Sequence, residues 1–98
     1  MEENKILTSG GQISTVNLGD FGTITGLKTT NFTLTVNDVQ TPFHIVNEGE
    51  DTITLNVKGI NDTAFQARKF FAETESPLII MEIEANANAD DYTLAYGY

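Results

Sequence analysis

The chain has 98 residues and no cysteine, and its 14 acidic side chains against 5 basic ones give a net charge of −9 at pH 7. This length allows one domain, and the lack of cysteine excludes disulfides and thiolate metal sites. A surface this acidic repels phosphate groups, so we expect binding neither to nucleic acid nor to an anionic membrane surface.

The first twelve residues, Met1–Gln12, are polar apart from Ile6 and Leu7. They predict a flexible N-terminal arm with one short strand at Lys5–Thr8, which is either a frayed terminus or a segment that docks on a neighbouring subunit. Because the chain shows neither a cationic, apolar leader nor an apolar run of about 18 residues, we expect no secretion signal and no membrane span.

The segment after the arm is predicted to contain a strand near residues 21–27. Its alternation places Phe21, Thr23, Thr25 and Leu27 on one face and Ile24 on the other. Glycines between these positions, among them Gly22, indicate a bulge or a close approach of another group to the backbone.

The middle of the chain alternates between apolar and polar residues, which is typical of half-buried strands. The positions predicted to face inward are Phe32, Leu34, Val36, Phe43, Ile45, Ile53, Leu55 and Val57. Turn residues such as Asn37-Asp38 separate these runs. A further strand is predicted at 63–72, with Phe65, Ala67 and one of the pair Phe70 and Phe71 buried, and Glu73–Pro77 is predicted to be a connection.

Together these patterns predict an all-β fold for residues 13–98, a single β-sandwich of about eight strands. The patterns do not decide between the strand connectivity of a jelly roll and that of another Greek-key arrangement. Residues 1–12 are predicted to be the arm of this one-domain protein.

The last segment, Ser76–Tyr98, is predicted to form a terminal β-hairpin on which the other strands pack. Strict alternation turns Ile79, Met81 and Ile83 toward the core and leaves Leu78 and Ile80 on the opposite side. Two large aliphatic side chains then have no partner in a two-layer sandwich. Either Pro77–Ile80 is a buried turn, or that face contacts another subunit.

Three tyrosines share one face of the final predicted strand, together with one leucine: Tyr92, Leu94, Tyr96 and Tyr98. This stripe is the inward face of the sandwich, a subunit interface or a platform for sugar rings. The candidate interface residues are therefore Ile6, Leu7, Leu78, Ile80, Tyr96 and Tyr98.

The sequence contains few side chains that could act as a nucleophile or a general base, and we predict no catalytic residue. His44 is the one imidazole and there is no thiol, so a nucleophilic triad is hard to build. Glu82 and Glu84 share a strand face, as solvated carboxylates of an outer strand commonly do. Asn86, Asn88 and Asp90 copy the first oxygen positions of a calcium loop but lack its glycine and terminal glutamate, so we predict no metal or other cofactor.

Three stretches together suggest a family. The runs DTITLNVKG at Asp51–Gly59, PLIIMEI at Pro77–Ile83 and YTLAYGY at Tyr92–Tyr98 resemble short β-sandwich proteins of tailed phages of gut Bacteroidota. The resemblance covers the C-terminal half of the chain.

This resemblance implies an auxiliary (decoration) capsid protein or a protein associated with head fibres. The implied partners are the major capsid protein or other virion proteins, with a homo-oligomer expected, and the implied location is the virion after synthesis in the host cytoplasm. The alternative function is a carbohydrate-binding or adhesin module of a phage fibre or of a bacterial surface apparatus.

Overall fold

The computed structural model describes residues 20–98. This part of the chain is all-β and has no α-helix; its one helical element is a single 3-10 turn, Ala89–Asp91. Its nine strands are β1 (Phe21–Thr23), β2 (Thr35–Val36), β3 (Val39–Gln40), β4 (His44–Asn47), β5 (Ile53–Lys58), β6 (Gln66–Phe70), β7 (Thr74–Glu75), β8 (Glu82–Ile83) and β9 (Leu94–Gly97). The predicted arm, residues 1–12, lies outside the described residues.

The strands form two larger sheets and one small hairpin. The four-stranded sheet has the order β1-β9-β4-β7, the three-stranded sheet has the order β6-β5-β8, and β2 pairs with β3. A bridge between Phe32 and Ile83 extends the three-stranded sheet beyond β8. Buried side chains from both larger sheets form one apolar cluster. The prediction of an all-β fold is confirmed, with two sheets around a shared core as in a β-sandwich.

The alternation in the central strands is also confirmed. Ile45 of β4 and Leu55 and Val57 of β5 are buried, while the residues between them are exposed or half-buried. The turn between β2 and β3 uses Asn37 and Asp38, both with positive φ. This is the backbone of a type I′ hairpin turn, which asparagine and aspartate tolerate better than other non-glycine residues.

The predicted terminal hairpin is wrong. β8 pairs with β5 in the three-stranded sheet, whereas β9 pairs with β1 and β4 in the four-stranded sheet. The two halves of Ser76–Tyr98 therefore lie in different layers of the sandwich, and residues 84–93 connect them across one end.

The predicted faces of the segment before β8 are wrong for the same topological reason. Ser76 donates its backbone N–H to Ile45 in the four-stranded sheet, and Met81 donates its own to Lys58 in the three-stranded sheet. Ile80 still exchanges backbone hydrogen bonds with Phe43, next to β4, so the chain passes between the layers at Ile80–Met81. The two-residue period counted back from Ile83 is interrupted at this step. Ile80 is consequently in the core with 1% of its surface exposed, and Ile79 is 53% exposed.

Two further predicted faces need correction. At β1, Phe21 is exposed while Ile24 and Leu27 are buried, because the strand ends at Thr23 and the chain then turns. In β6 the buried aromatic is Phe70, and Ala67 is exposed because it pairs with Asn56 on the outer face of the three-stranded sheet.

Gly22 in β1 is held close to an aromatic ring, as the glycine pattern predicted. A Cβ on this residue would lie 2.9 Å from Oη and 3.0 Å from Cζ of Tyr96. We expect Gly22→Ala to lower the free energy of unfolding by about 1–3 kcal/mol, because the ring must move out of its packing against Phe32 and Phe43. Urea unfolding measures this difference, with Thr23→Ala as the control in the same strand. Equal stability of the two variants would show that the ring moves aside freely.

Candidate functional site

One end of the sandwich gathers three connections. Met81 donates its N–H to the Lys58 carbonyl, and the Gln40 side chain donates to the Met81 carbonyl at 3.1 Å. A Cβ on Gly59 would lie 3.7 Å from the Ile79 carbonyl. These contacts bring together the β2–β3 hairpin, the β5–β6 connection and the segment 77–79 that precedes Ile80.

Each of these three connections exposes a large apolar side chain. Val39, Ile60 and Ile79 are all more than half exposed among residues 20–98. We call this surface the apolar end and define it by these three residues. Asp20 lies there too, because its carbonyl accepts the N–H of Tyr98 just beyond the last residue of β9. Residues 1–19 therefore join the described fold at the apolar end.

The opposite end is acidic. β4 and β6 end here and β5 begins here. The connection after β4 contacts the connection before β9 where Glu48 donates its N–H to the Thr93 carbonyl at 2.8 Å. Its carboxylates are Glu48, Glu50, Asp51, Glu73, Asp90 and Asp91. Lys28 pairs with Asp90 at 3.0 Å, but both side chains are more than half exposed, so the pair contributes little stability. The two ends therefore differ: Val39, Ile60 and Ile79 are exposed at one, beside the carboxylates of Asp20, Asp38 and Asp62, and six carboxylates lie at the other.

A buried amide holds the acidic end together. Asn47, at the end of β4, donates from Nδ2 to the carbonyls of Asp51 and Phe70 at 2.8 and 3.0 Å, and its Oδ1 accepts the N–H of Gly49. The bond to Phe70 joins the four-stranded sheet to the three-stranded sheet. The sequence pattern placed Asn47 in a polar loop and gave no sign of this role.

A shallow groove runs along the open side of the sandwich, between the edge strand β6 and residues 74–80. Two depressions of about 150 and 140 Å³ meet at Leu78. Phe71 and Pro77 line the first depression, and Arg68 and Ile79 line the second. We call this feature the side groove. Leu78, one of the predicted interface residues, is 37% exposed at its centre.

The side groove carries charges of both signs: Arg68 and Lys69 line it, and so do Asp62 and Glu75. Of the four cations in residues 20–98, Lys28 pairs with Asp90 and Lys58 lies 3.9 Å from Glu82. Arg68 and Lys69 pair with no carboxylate of the described residues; Arg68 donates instead to the Gln66 side chain and the Ala67 carbonyl. Both cations are on β6, the wall of the side groove.

The other predicted interface residues are placed differently. Ile80 is a core residue and is not available for an interface, which corrects that prediction. Tyr96 is half-buried, with its ring centroid 5.5 Å from that of Phe32. Tyr98 is half-buried beside Asp20, and partial burial, followed by the Asp20 carboxylate, raises its pKa above the ordinary tyrosine value. Ile6 and Leu7 lie outside the described residues.

The tyrosine stripe therefore faces inward. Leu94 is buried, and Tyr92, Tyr96 and Tyr98 pack against the core cluster. Of the three interpretations of this stripe, the described residues favour the inner face of the sandwich. No coplanar row of exposed tyrosines is present in residues 20–98.

Most of the polar residues considered for catalysis or metal binding make hydrogen bonds in the described part of the chain; the exception is His44, whose Nδ1 is buried without a hydrogen-bond partner there. Glu82 accepts from the Asn31 amide and Glu84 from the Asn56 amide. Asn86 accepts the N–H of Asn88 in the turn before the 3-10 segment, and Asp90 pairs with Lys28. Within residues 20–98 no three histidine, aspartate or glutamate side chains are grouped as a metal site would require.

A second concavity lies at the acidic end. This groove of about 290 Å³ is bordered by Gly26, Lys28, Asp90 and Tyr92, with Ile24, Leu27 and Leu94 also lining it. Its rim is polar where Lys28 meets Asp90 and its floor is apolar. A groove of this composition suits a small ligand with one apolar face.

Comparisons with known proteins add no assignment: no family model, no curated protein and no solved structure matches this chain. Among residues 20–98, no helix has the length and apolar composition that crossing a membrane requires.

Proposed function

We propose that this protein is a structural virion component, an auxiliary capsid protein that binds the outside of a tailed-phage capsid non-covalently and stabilises it. The observation that carries the proposal is the polarity of the domain. The apolar end contacts the capsid at joints between major capsid subunits, and the acidic end faces solvent. Binding adds stability to the shell by mass action, since the protein binds the assembled lattice only.

The composition of the two ends supports this orientation. Exposed aliphatic side chains gathered on one surface are typical of a protein interface, whereas scattered ones need no explanation. Val39, Ile60 and Ile79 come from three separate connections and still lie on one end. Asp20, at which residues 1–19 join the described fold, lies at the same end.

The strand order is consistent with a capsid role. With the β2–β3 hairpin set aside, the two sheets have the orders β1-β9-β4-β7 and Phe32-β8-β5-β6. We interpret this order as the jelly roll, the arrangement of eight strands in two Greek keys that occurs in viral capsid domains and lectins. Because one fold supports many functions, the strand order is compatible with a capsid role and does not select it.

The second candidate, a carbohydrate-binding or adhesin module, is favoured by the groove beside Tyr92. Its lining combines an aromatic residue with a lysine and a carboxylate, which suit the apolar face and the hydroxyl groups of a sugar. The inward-facing tyrosine stripe removes the other support that this candidate had. We therefore place it second.

Co-sedimentation with capsids of the phage that encodes the chain tests the proposal. We expect the wild-type protein to pellet with capsids that lack it, and Ile60→Glu and Ile79→Glu each to weaken binding at least about tenfold, because a buried unpaired carboxylate is costly at an interface. Thr54→Glu adds the same charge on the outer face of β5 and is expected to bind as wild type does.

Two outcomes would count against the proposal. Unchanged binding by Ile60→Glu and Ile79→Glu would exclude the apolar end as the contact surface. A wild-type protein that stays in the supernatant but binds sugars on a glycan array would overturn the capsid role in favour of the second candidate.

A further inference from the structure

We propose that the side groove binds the N-terminal segment Lys5–Thr8 of a second copy of this chain, which pairs with the outer edge of β6. The contact joins copies head to tail. This inference concerns the protein by itself and does not rest on the capsid role.

The receiving surface is an open strand edge beside an apolar groove. β6 is five residues long and has a partner only on its β5 side among residues 20–98. An exposed edge of this length presents unpaired N–H and C=O groups to which an extended segment can add as a further strand. The groove beside it exposes Phe71, Pro77 and Leu78, which accept the alternate side chains of such a strand.

The proposed occupant has the matching chemistry. Lys5–Thr8 contains Ile6 and Leu7, the two adjacent aliphatic residues of an otherwise polar stretch, and the sequence predicts a strand there. Glu2 and Glu3 precede it, within about 10–15 Å of Ile6 in an extended chain. Arg68 and Lys69 on β6 lack a carboxylate partner among the described residues and can pair with these two glutamates, although Asp62 and Glu75 also line the groove.

The positions of the two surfaces indicate a neighbouring copy as the source. The chain enters the fold at β1, which is one edge of the four-stranded sheet, and the side groove lies along β7, the other edge. Three strand spacings, about 14 Å, separate these edges. A copy placed alongside presents its side groove next to the edge where the segment leaves. The chain's own groove is on the far side of the sandwich but within the length of the linker, residues 8–19, so the cysteine test below includes pairing within one chain.

A contact of this kind is heterologous, because the donated segment and the receiving groove are different surfaces. Such contacts close into a ring or continue as an open array. Residues 8–19 extend at most about 40 Å. Residues 8–19, the linker, are therefore long enough for two neighbouring domains to lie side by side. They do not fix the angle between the two domains, which decides between a ring and an open array.

Engineered cysteines test the contact, because the natural chain has none. The double variant Leu7→Cys/Leu78→Cys is oxidised at micromolar concentration and separated on a non-reducing gel. We expect a ladder of disulfide-linked oligomers. Mixing the two single variants, one with a size tag, should give a heterodimer. Leu7→Cys/Thr54→Cys is the matched control, since Thr54 is exposed on the opposite face of the three-stranded sheet.

Each alternative outcome contradicts the proposal in a different way. A disulfide within one chain would show that the side groove takes its own segment. A yield of oligomers no higher than that of the Thr54 control would show that the segment does not bind there, and that Arg68 and Lys69 serve only to keep the edge of β6 from pairing.

Charge reversal supplies a second test that needs no cysteine. We expect Arg68→Glu/Lys69→Glu to lower the oligomer fraction in sedimentation velocity about fivefold at low salt. The change removes two exposed ion pairs between copies, and each such pair contributes modestly to binding. Adding Glu2→Lys/Glu3→Lys should restore the oligomer fraction. If Glu2→Lys/Glu3→Lys does not restore the oligomers that Arg68→Glu/Lys69→Glu removed, the proposed charge pairing is excluded. Circular dichroism checks that each variant keeps its β structure.

Discussion

Replacing Asn47 with alanine is expected to lower the free energy of unfolding by about 3–5 kcal/mol, the largest effect of any polar residue in the described fold. The side chain is 1% exposed and makes three hydrogen bonds to backbone groups. Alanine leaves the carbonyls of Asp51 and Phe70 without their donor and the N–H of Gly49 without its acceptor. Each buried group that loses its partner costs about 1–3 kcal/mol.

The variant Asn47→Asp separates the hydrogen bonds from the volume of the side chain. Aspartate has nearly the same shape but, when ionised, no donor, so its oxygen faces the two carbonyls that the amide served. We expect it to be at least as destabilising as alanine at neutral pH in urea unfolding. Asn56→Ala is the control, since Asn56 is exposed and bonds only to the Glu84 side chain among the described residues. If Asn47→Ala and Asn56→Ala unfold at the same urea concentration, the amide does not join the sheets.

The sequence predicted those parts of the fold in which local pattern and burial agree. β4 and β5 lie at the centre of their sheets, with a covered inner face and an open outer face. Their two-residue period therefore reports burial directly. The Asn37-Asp38 turn was predictable for a similar reason, because its backbone demands residues that accept positive φ.

The period fails where the chain leaves one sheet for the other. Ile80 still pairs with Phe43 beside β4, whereas Met81 already bonds to Lys58 at the end of β5, so the change of sheet occurs between these two residues. A strict two-residue count carried back from Ile83 through this step places Ile79 inside and Ile80 outside, the reverse of the structure. Nothing local marks the crossing, and the sheet in which each strand pairs depends on contacts far apart in the sequence.

The candidate surfaces were predictable only in part. Leu78 was selected because the alternation left it without a partner, and it is exposed at the centre of the side groove. Ile60 and Val39 are exposed because of where their connections sit in three dimensions, and each is a single aliphatic residue in a turn-rich stretch. Their grouping at one end requires the strand order, which the sequence pattern left open.

Ile80 and Ile79 provide the sharpest test of this rearranged segment, because adjacent isoleucines are expected to behave in opposite ways. Ile80 is 1% exposed, and its backbone exchanges two hydrogen bonds with Phe43 that a side-chain change leaves in place. Ile80→Ala is expected to cost about 2–5 kcal/mol of unfolding free energy through the cavity it leaves. Ile79→Ala removes an exposed side chain and should change stability by less than about 0.5 kcal/mol.

Urea unfolding of the two variants, combined with capsid co-sedimentation, distinguishes a core residue from an interface residue. Ile80→Ala should unfold at lower urea concentration, yet bind capsids normally under conditions where it is folded. Ile79→Ala should unfold as wild type does but bind capsids more weakly, because its side chain belongs to the apolar end. The reverse pattern would restore strict alternation from Ile79 to Ile83 and place Ile80 at the interface, since the stability loss follows whichever side chain fills the core.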